Sequence, residues 1–201
     1  AQKASEERSA FCRWRSQLLE MSRGEDISAR FNYPNPPVMA VILEPLAHLP
    51  PAVGAMTWYL LKAVMAGLCL VWIISLVQAG GAEFPPWARM LAVGLALKPI
   101  LDDLSHGNVN LFILFLCTAC LAAYRHRMDF TAGLLLALAV ACKVTPALFI
   151  PSFLWKRSWG VLAGGVAGCL LFFYPGVVPA ARLGMDANLK QLSSWYGGMV
   201  K

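Results

Sequence analysis

Residues 130–155 read FTAGLLLALAVACKVTPALFIPSFLW, and their reading decides the fold. Apart from Lys143 and a few hydroxyls the stretch has no polar face, and a helix apolar all round must be buried in a large core or in lipid. The stretch is longer than the ~20 residues a membrane crossing needs. It is also broken midway by Lys143-Val144-Thr145-Pro146, where proline removes a donor and pushes its predecessor out of helical geometry. It therefore reads as a pair of half-helices meeting at the break. Residues 53–78, 87–101, 108–124 and 159–178 are similarly apolar. The chain has 201 residues, 58% hydrophobic and 14% charged, with mean hydropathy +0.58. Soluble domains run roughly 45–50% apolar and about 25% charged. Too little polar sequence remains to wrap these blocks, so the expected fold is an all-α integral membrane bundle of several spans.

Working outward, Phe11, Trp14, Leu18 and Met21 fall on one helical stripe among Arg8, Arg13, Arg15 and Arg23, with Gly24 as a stop. A basic amphipathic helix of this kind suits the membrane interface. Tyr33-Pro34-Asn35-Pro36-Pro37 is extended, and residues 38–49 form a short apolar helix. At ~1.5 Å per residue it falls short of a ~30 Å hydrocarbon core. In the span 53–78, Trp58, Tyr59 and Trp72 read as interfacial anchors and Lys62 as a snorkelling side chain. The span 87–101 breaks near Lys98-Pro99, residues 102–108 read as a polar loop, and the tail beyond 178 as amphipathic loop. With Arg125/Arg127 and Lys156/Arg157 on the cytoplasmic side, block 130–155 enters and leaves on one side. Residues 1–52 and 179–201 are then extracytoplasmic loops flanking the helices of 53–178 in one partial transmembrane domain. Nothing in the sequence would translocate the first loop, so the chain reads as a fragment that lacks a preceding helix.

Net charge is +6 and the pI about 9.2. No Lys/Arg cluster adjoins a ladder of exposed aromatics, so nucleic acid is not an expected partner; membrane lipids are. Five of the six cysteines sit inside apolar blocks, where the thiol behaves as a small hydrophobe. No disulfide framework, metal site or cofactor is read from the chain. Intramembrane polar groups are costly and usually functional, which singles out Lys143 as a cation for a phosphate-bearing ligand. Asp102, Asp103, His106, Asn108 and Asn110 cluster at the mouth of two spans, where paired acids with a His offer general-base chemistry. Arg13 and Arg15 offer phosphate recognition from the N-terminal helix. A transporter or lipid flippase built on the broken helix, and a non-catalytic scaffold, are the competing readings; the internal repeats usual in transporters are not found.

Three motifs carry a resemblance. Phe31-Asn32-Tyr33-Pro34-Asn35-Pro36-Pro37, with Glu44-Pro45-Leu46 and Leu49-Pro50 after it, resembles the "YPP…PL…LP" region of glycosyltransferase family 87, a branch of the C-type integral-membrane glycosyltransferases. His106-Gly107-Asn108-Val109-Asn110-Leu111 resembles its "GQ-V-N-L" stretch. Ala132-Gly133-Leu134-Leu135-Leu136-Ala137-Leu138 with Lys143-Val144-Thr145-Pro146 is similar to its "AG-x-LLGLA…K-x-TP" signature. The resemblance implies a many-helix membrane fold with interfacial or re-entrant helices. It also implies a hexosyltransferase, mannosyl-transferring in the family's polyprenol-phosphate-mannose branch, that moves a sugar from a polyprenyl-phosphate donor to a lipid or glycan acceptor hydroxyl outside the bacterial inner membrane. Such a reaction needs a carboxylate for the acceptor proton and cations for the departing phosphate. The family's catalytic Asp is expected near Ser9, where this sequence reads Glu6-Glu7-Arg8-Ser9. That leaves Glu7, Asp102 and Asp103 as candidate bases, with Arg13, Arg15, Tyr33, His106, Asn108, Asn110 and Lys143 as candidate substrate-binding residues.

Overall fold

Proline and glycine punctuate the apolar blocks into a series of helices. The computed structural model describes residues 10–31, 33–79, 85–174 and 176–199. Their helices are α1 (Ala10–Met21), α2 (Ile27–Phe31), α3 (Pro37–Ala47), α4 (Pro51–Ala79), α5 (Pro86–His106), α6 (Asn110–Arg125), α7 (Asp129–Cys142), α8 (Ile150–Trp155), α9 (Trp159–Gly168), α10 (Val177–Leu183) and α11 (Met185–Met199). A 3₁₀ turn, Thr145–Phe149, joins α7 to α8, and a π-helical turn, Cys169–Phe173, extends α9. No strand occurs among the described residues.

Among the described residues, two apolar stretches are long enough to cross a bilayer: Pro51–Gln78, a single helix of 28 residues, and Trp159–Leu183, 25 residues whose helix is interrupted at the extended Tyr174. Helix α5, with 21 residues, is long enough but carries Arg89, Lys98, Asp102 and Asp103, and two further blocks fall short of the crossings expected of them. Helix α6 has 16 residues and α7 has 14, or about 24 and 21 Å of rise. They are instead the packed centre. A Cβ on Gly133 of α7 would collide with the Val161 carbonyl oxygen, and one on Gly164 of α9 would collide with that of Phe130. Only glycine lets these two backbones touch, the small-residue packing usual between membrane helices. Outside this centre, Met56, Leu60, Val64 and Val71 of α4 and Trp87, Met90, Leu91 and Leu95 of α5 are exposed, an apolar surface suited to lipid.

The break after α7 follows the prediction. Lys143 is extended (φ −158°, ψ 128°) and the chain turns through Thr145-Pro146 into α8. The turns at both ends of the 130–155 block share one end of the molecule: the Tyr124 and Ser158 hydroxyls are 2.9 Å apart, and Lys156 lies over the Tyr124 ring.

Several expectations are corrected. Helix α5 runs through Pro99 to His106, so residues 102–106 are its last turns rather than a loop, and Gly107 closes it at φ +72°, a conformation that favours glycine. The tail is α10 and α11, not loop. The stripe on α1 faces protein instead of the membrane interface: Phe11, Leu18 and Met21 join the core with Met39, Leu43 and Trp58. Trp58 is no interfacial anchor, for it is buried and its indole donates to the Gly107 carbonyl at 3.1 Å. Lys62 does not snorkel. Its side chain is 0% exposed and its ammonium donates to Asp103, to the backbone carbonyl at 2.6 Å and to Oδ2 at 3.1 Å.

Candidate functional site

A cavity of about 360 Å³ opens where five parts of the chain meet. The α7 break contributes Lys143, Val144 and Thr145, and the α5–α6 corner contributes Asn108, Val109 and Asn110. The proline-rich segment adds Pro34, Asn35 and Pro36; Trp14 of α1 and Trp195 of α11 complete the wall. Each is placed by local chemistry. Lys143 leaves the helical path because Pro146 cannot continue it, and Asn110 opens α6 beyond the Gly107 cap. Trp195 donates to the Pro34 carbonyl at 3.3 Å, and Trp14 meets the buried Tyr33 ring edge-on at 6.2 Å.

Lys143 is the chemical centre. Its ammonium donates to the Asn110 side-chain oxygen at 2.7 Å, and among the described residues it forms no ion pair. A cation held only by a neutral amide is left without a counter-charge among the described residues. Three asparagines beside it supply donors and acceptors for hydroxyls, and two tryptophans supply apolar area. The volume lies at the small end of the roughly 300–1,000 Å³ typical of ligand pockets.

Of the residues singled out in the sequence, the structure thus brings Asn108, Asn110 and Lys143 together. Others stand apart. Asp102 is exposed and pairs with Lys98 at 3.1 Å. Asp103 is buried against Lys62 and faces a neighbouring apolar crevice of about 370 Å³ between α4, α5 and α6, which it shares with Asn110. His106 is exposed, its Nδ1 within 2.6 Å of the Asp102 carbonyl. Arg13 is exposed, and Arg15 donates to the Leu49 carbonyl at 3.2 Å, tying α1 to the end of α3. Tyr33 packs under the cavity with its hydroxyl buried and, among the described residues, making no hydrogen bond of good geometry. Burial pushes this phenol above its usual pKa, with Asn35 pulling weakly the other way. Glu7 lies outside the described residues. Among those described, no cluster of His, Cys, Asp or Glu is arranged to hold a metal. Cys117 and Cys120 have a C-x-x-C spacing that the sequence reading passes over; both thiols are free, on an apolar helix.

Sequence reasoning missed three groups. Asn35, Thr145, Trp14 and Trp195 line the cavity, though only the aromatic and amide types hinted at it. The Lys62–Asp103 pair joins residues 41 apart in the chain. The third is a clasp in which the Arg182 guanidinium donates to both oxygens of buried Glu44, at 2.9 and 2.7 Å, with His48 at 3.5 Å. Burial raises the Glu44 carboxyl, but hydrogen bonds from Arg182 and His48, with their charges, more than offset it and leave it below the usual carboxylate value.

With this geometry in place, similarity to known proteins adds the family. The family model of glycosyltransferase family 87 matches residues 33–200. The chain belongs to glycosyltransferase family 87. Its all-α membrane fold is in keeping with that family. A polyprenol-phosphate-mannose-dependent alpha-(1-2)-phosphatidylinositol mannoside mannosyltransferase of Mycobacterium tuberculosis is 32% identical over 140 residues, 64% of this chain and 32% of that protein. A pentamannoside mannosyltransferase of Mycolicibacterium smegmatis, also polyprenol-phosphate-mannose-dependent by name, is 31% identical over 144 residues, 71% of this chain and 33% of its own length. An alpha-(1->3)-arabinofuranosyltransferase of Corynebacterium glutamicum is 22% identical over 138 residues, 68% of this chain and 32% of that protein. The chain thus spans about a third of the length of these relatives. No solved structure matches it. The family match begins at Tyr33, so it covers the proline-rich, Asn108–Asn110 and Lys143 motifs but not the segment that holds Glu7.

Proposed function

We propose that this chain carries the donor-phosphate site of a membrane glycosyltransferase that moves a hexosyl group, mannosyl by analogy with the relatives' names, from a polyprenyl-phosphate sugar to a hydroxyl of a lipid or glycan acceptor. The observation that carries this is the charge-uncompensated Lys143 in a cavity of asparagines and tryptophans, on the end of the bundle opposite the Arg127 and Arg157 turns. By the positive-inside rule that end is extracytoplasmic, and the bacterial inner membrane is the host.

In the reaction the acceptor oxygen bonds to the anomeric carbon while the bond from that carbon to the phosphate oxygen breaks. The electron pair leaves on the polyprenyl phosphate, and Lys143 is placed to stabilise the growing charge. Asn35, Asn108 and Asn110 serve the sugar hydroxyls. The acceptor proton passes to a carboxylate. Asp102 and Asp103 are already held by lysines, so the role is assigned to Glu7, following the family resemblance.

The test uses the full-length protein with a labelled polyprenyl-phosphate mannose and a panel of phosphatidylinositol mannosides and glycans. Transfer is expected, and Lys143→Met lowers kcat/KM by roughly 10- to 150-fold, the value of a charge-assisted bond of about 1.5–3 kcal/mol. Folded protein that transfers to no acceptor overturns the reading, and uptake or lipid flipping in proteoliposomes in its place favours a transporter.

A further inference from the structure

A fully buried charge lies outside the cavity. Lys62 is fully buried in α4, in mid-run among apolar residues, and its only carboxylate partner there is Asp103. A buried ion pair is weak evidence for stability, since well-packed apolar residues of similar volume serve as well or better, and charges at such sites are functional by default. What the pair touches gives it a task. Trp58 and Lys62, one turn apart on α4, donate to the Gly107 and Asp103 carbonyls at the end of α5. Asp103 Oδ2, which receives Lys62, also lies 3.4 Å from the Leu111 amide in the first turn of α6, where N–H groups lack partners within the helix. The residue before Leu111 is Asn110, whose side-chain oxygen receives Lys143 at 2.7 Å. One polar chain therefore runs from Lys62 through Asp103 and the α6 N-terminus to Asn110 and Lys143.

We infer that the Lys62–Asp103 pair is a positioning device: it fixes the α5–α6 corner so that Asn110 holds the Lys143 ammonium toward the cavity. Neither residue lines that cavity, so the pair acts through Asn110 and not on the ligand. The second carboxylate oxygen, Oδ1, is buried and has no partner among the described residues. Asp103 thus gives up one hydrogen-bonding site to serve both Lys62 and α6. The role in catalysis rests on the proposed function; the positioning of Lys143 does not.

Two readouts on the full-length protein in detergent separate these. The first is the acylation rate of the Lys143 amine by a water-soluble reagent, followed by peptide mass spectrometry. The second is affinity for a polyprenyl phosphate without sugar. Asp103→Asn and Lys62→Met are expected to change the Lys143 acylation rate several-fold and to weaken binding by roughly 3- to 30-fold. In a Lys143→Met background they should add nothing further, because both act on one interaction. The exchange of Lys62→Asp with Asp103→Lys restores part of the loss. Where a single variant unfolds, Lys62→Met with Asp103→Leu removes both charges together and takes the same readouts. Unchanged acylation and affinity in folded variants overturn the inference, as does a loss fully additive with Lys143→Met. Wild-type protein that binds no polyprenyl phosphate, yet whose Lys143 acylation still responds to Asp103, overturns the functional reading and keeps the positioning.

Discussion

At the scale of single residues, polar groups divide by what already satisfies them. Lys62, Asp102, Arg15 and Glu44 are held by partners within the chain; Lys143 is held by one neutral amide and faces a cavity. Tyr33 is the opposite case, a buried hydroxyl that has Asn35 nearby but makes no hydrogen bond of good geometry among the described residues. Such a group costs about 1–3 kcal/mol of desolvation. Tyr33→Phe is therefore expected to leave thermal stability unchanged or raised by about 1 kcal/mol, with activity near wild type, since the phenol packs beneath the cavity without lining it. A large loss of transfer in a stable Tyr33→Phe protein would show that its hydroxyl contacts substrate. Lys143 is legible in the sequence because an apolar run with a central lysine and a proline has few explanations. Lys62 reads there as a snorkelling side chain, because its partner lies 41 residues away and one-dimensional spacing does not carry that contact.

Helices and their joints set where those residues sit. The break at Lys143–Pro146 can be read directly because proline acts locally; the continuation of α5 through Pro99 cannot, because contacts from Trp58 and Lys62 to its final turn lie on another helix. The α7–α9 joint positions the helix that ends at Lys143. Gly133→Ala would drive a methyl into the Val161 carbonyl oxygen, whereas a methyl on Gly165 would meet nothing within 4 Å. Gly133→Ala should thus lower stability by about 1–3 kcal/mol, the usual cost of overpacking, while Gly165→Ala is neutral; thermal unfolding in detergent reads both. The Glu44–Arg182 clasp joins α3 to α10. Because its folded pKa is depressed, Glu44 contributes stability that is complete above the unfolded value of about 4.3 and is lost as pH falls through the folded value. The gap in unfolding temperature between wild type and Glu44→Gln should be present at pH 7 and close on acidification below about pH 4; a gap that persists at low pH would mean that the clasp works by packing alone.

For the whole molecule, the two ends of the bundle differ in kind. One carries Arg125, Arg127, Lys156 and Arg157 at two helix-to-helix turns, and Arg127 and Arg157 sit at positive φ (61° and 52°) where glycine would be easier. The left-handed region costs a residue with a Cβ roughly 1–2 kcal/mol, so keeping arginine at both turns favours a task for its charge, and positive-inside orientation is one. The other end carries the cavity, Lys143 and the proline-rich segment. Helix α7 separates the two by 14 residues, about 21 Å, so membrane sidedness can be read at each independently. In a background whose native cysteines are replaced, a cysteine at Arg157 and one at Asn108 should label from opposite sides with a membrane-impermeant thiol reagent, Asn108→Cys in intact spheroplasts and Arg157→Cys only after permeabilisation. Polyprenyl phosphate added with the reagent should slow labelling at Asn108→Cys and leave Arg157→Cys unchanged, because only the first lines the cavity. If both label from the same face, the orientation fails and the donor head group would have to be met in the cytoplasm; if they label from opposite faces but the lipid protects neither, the orientation stands and the cavity loses its assignment to the phosphate.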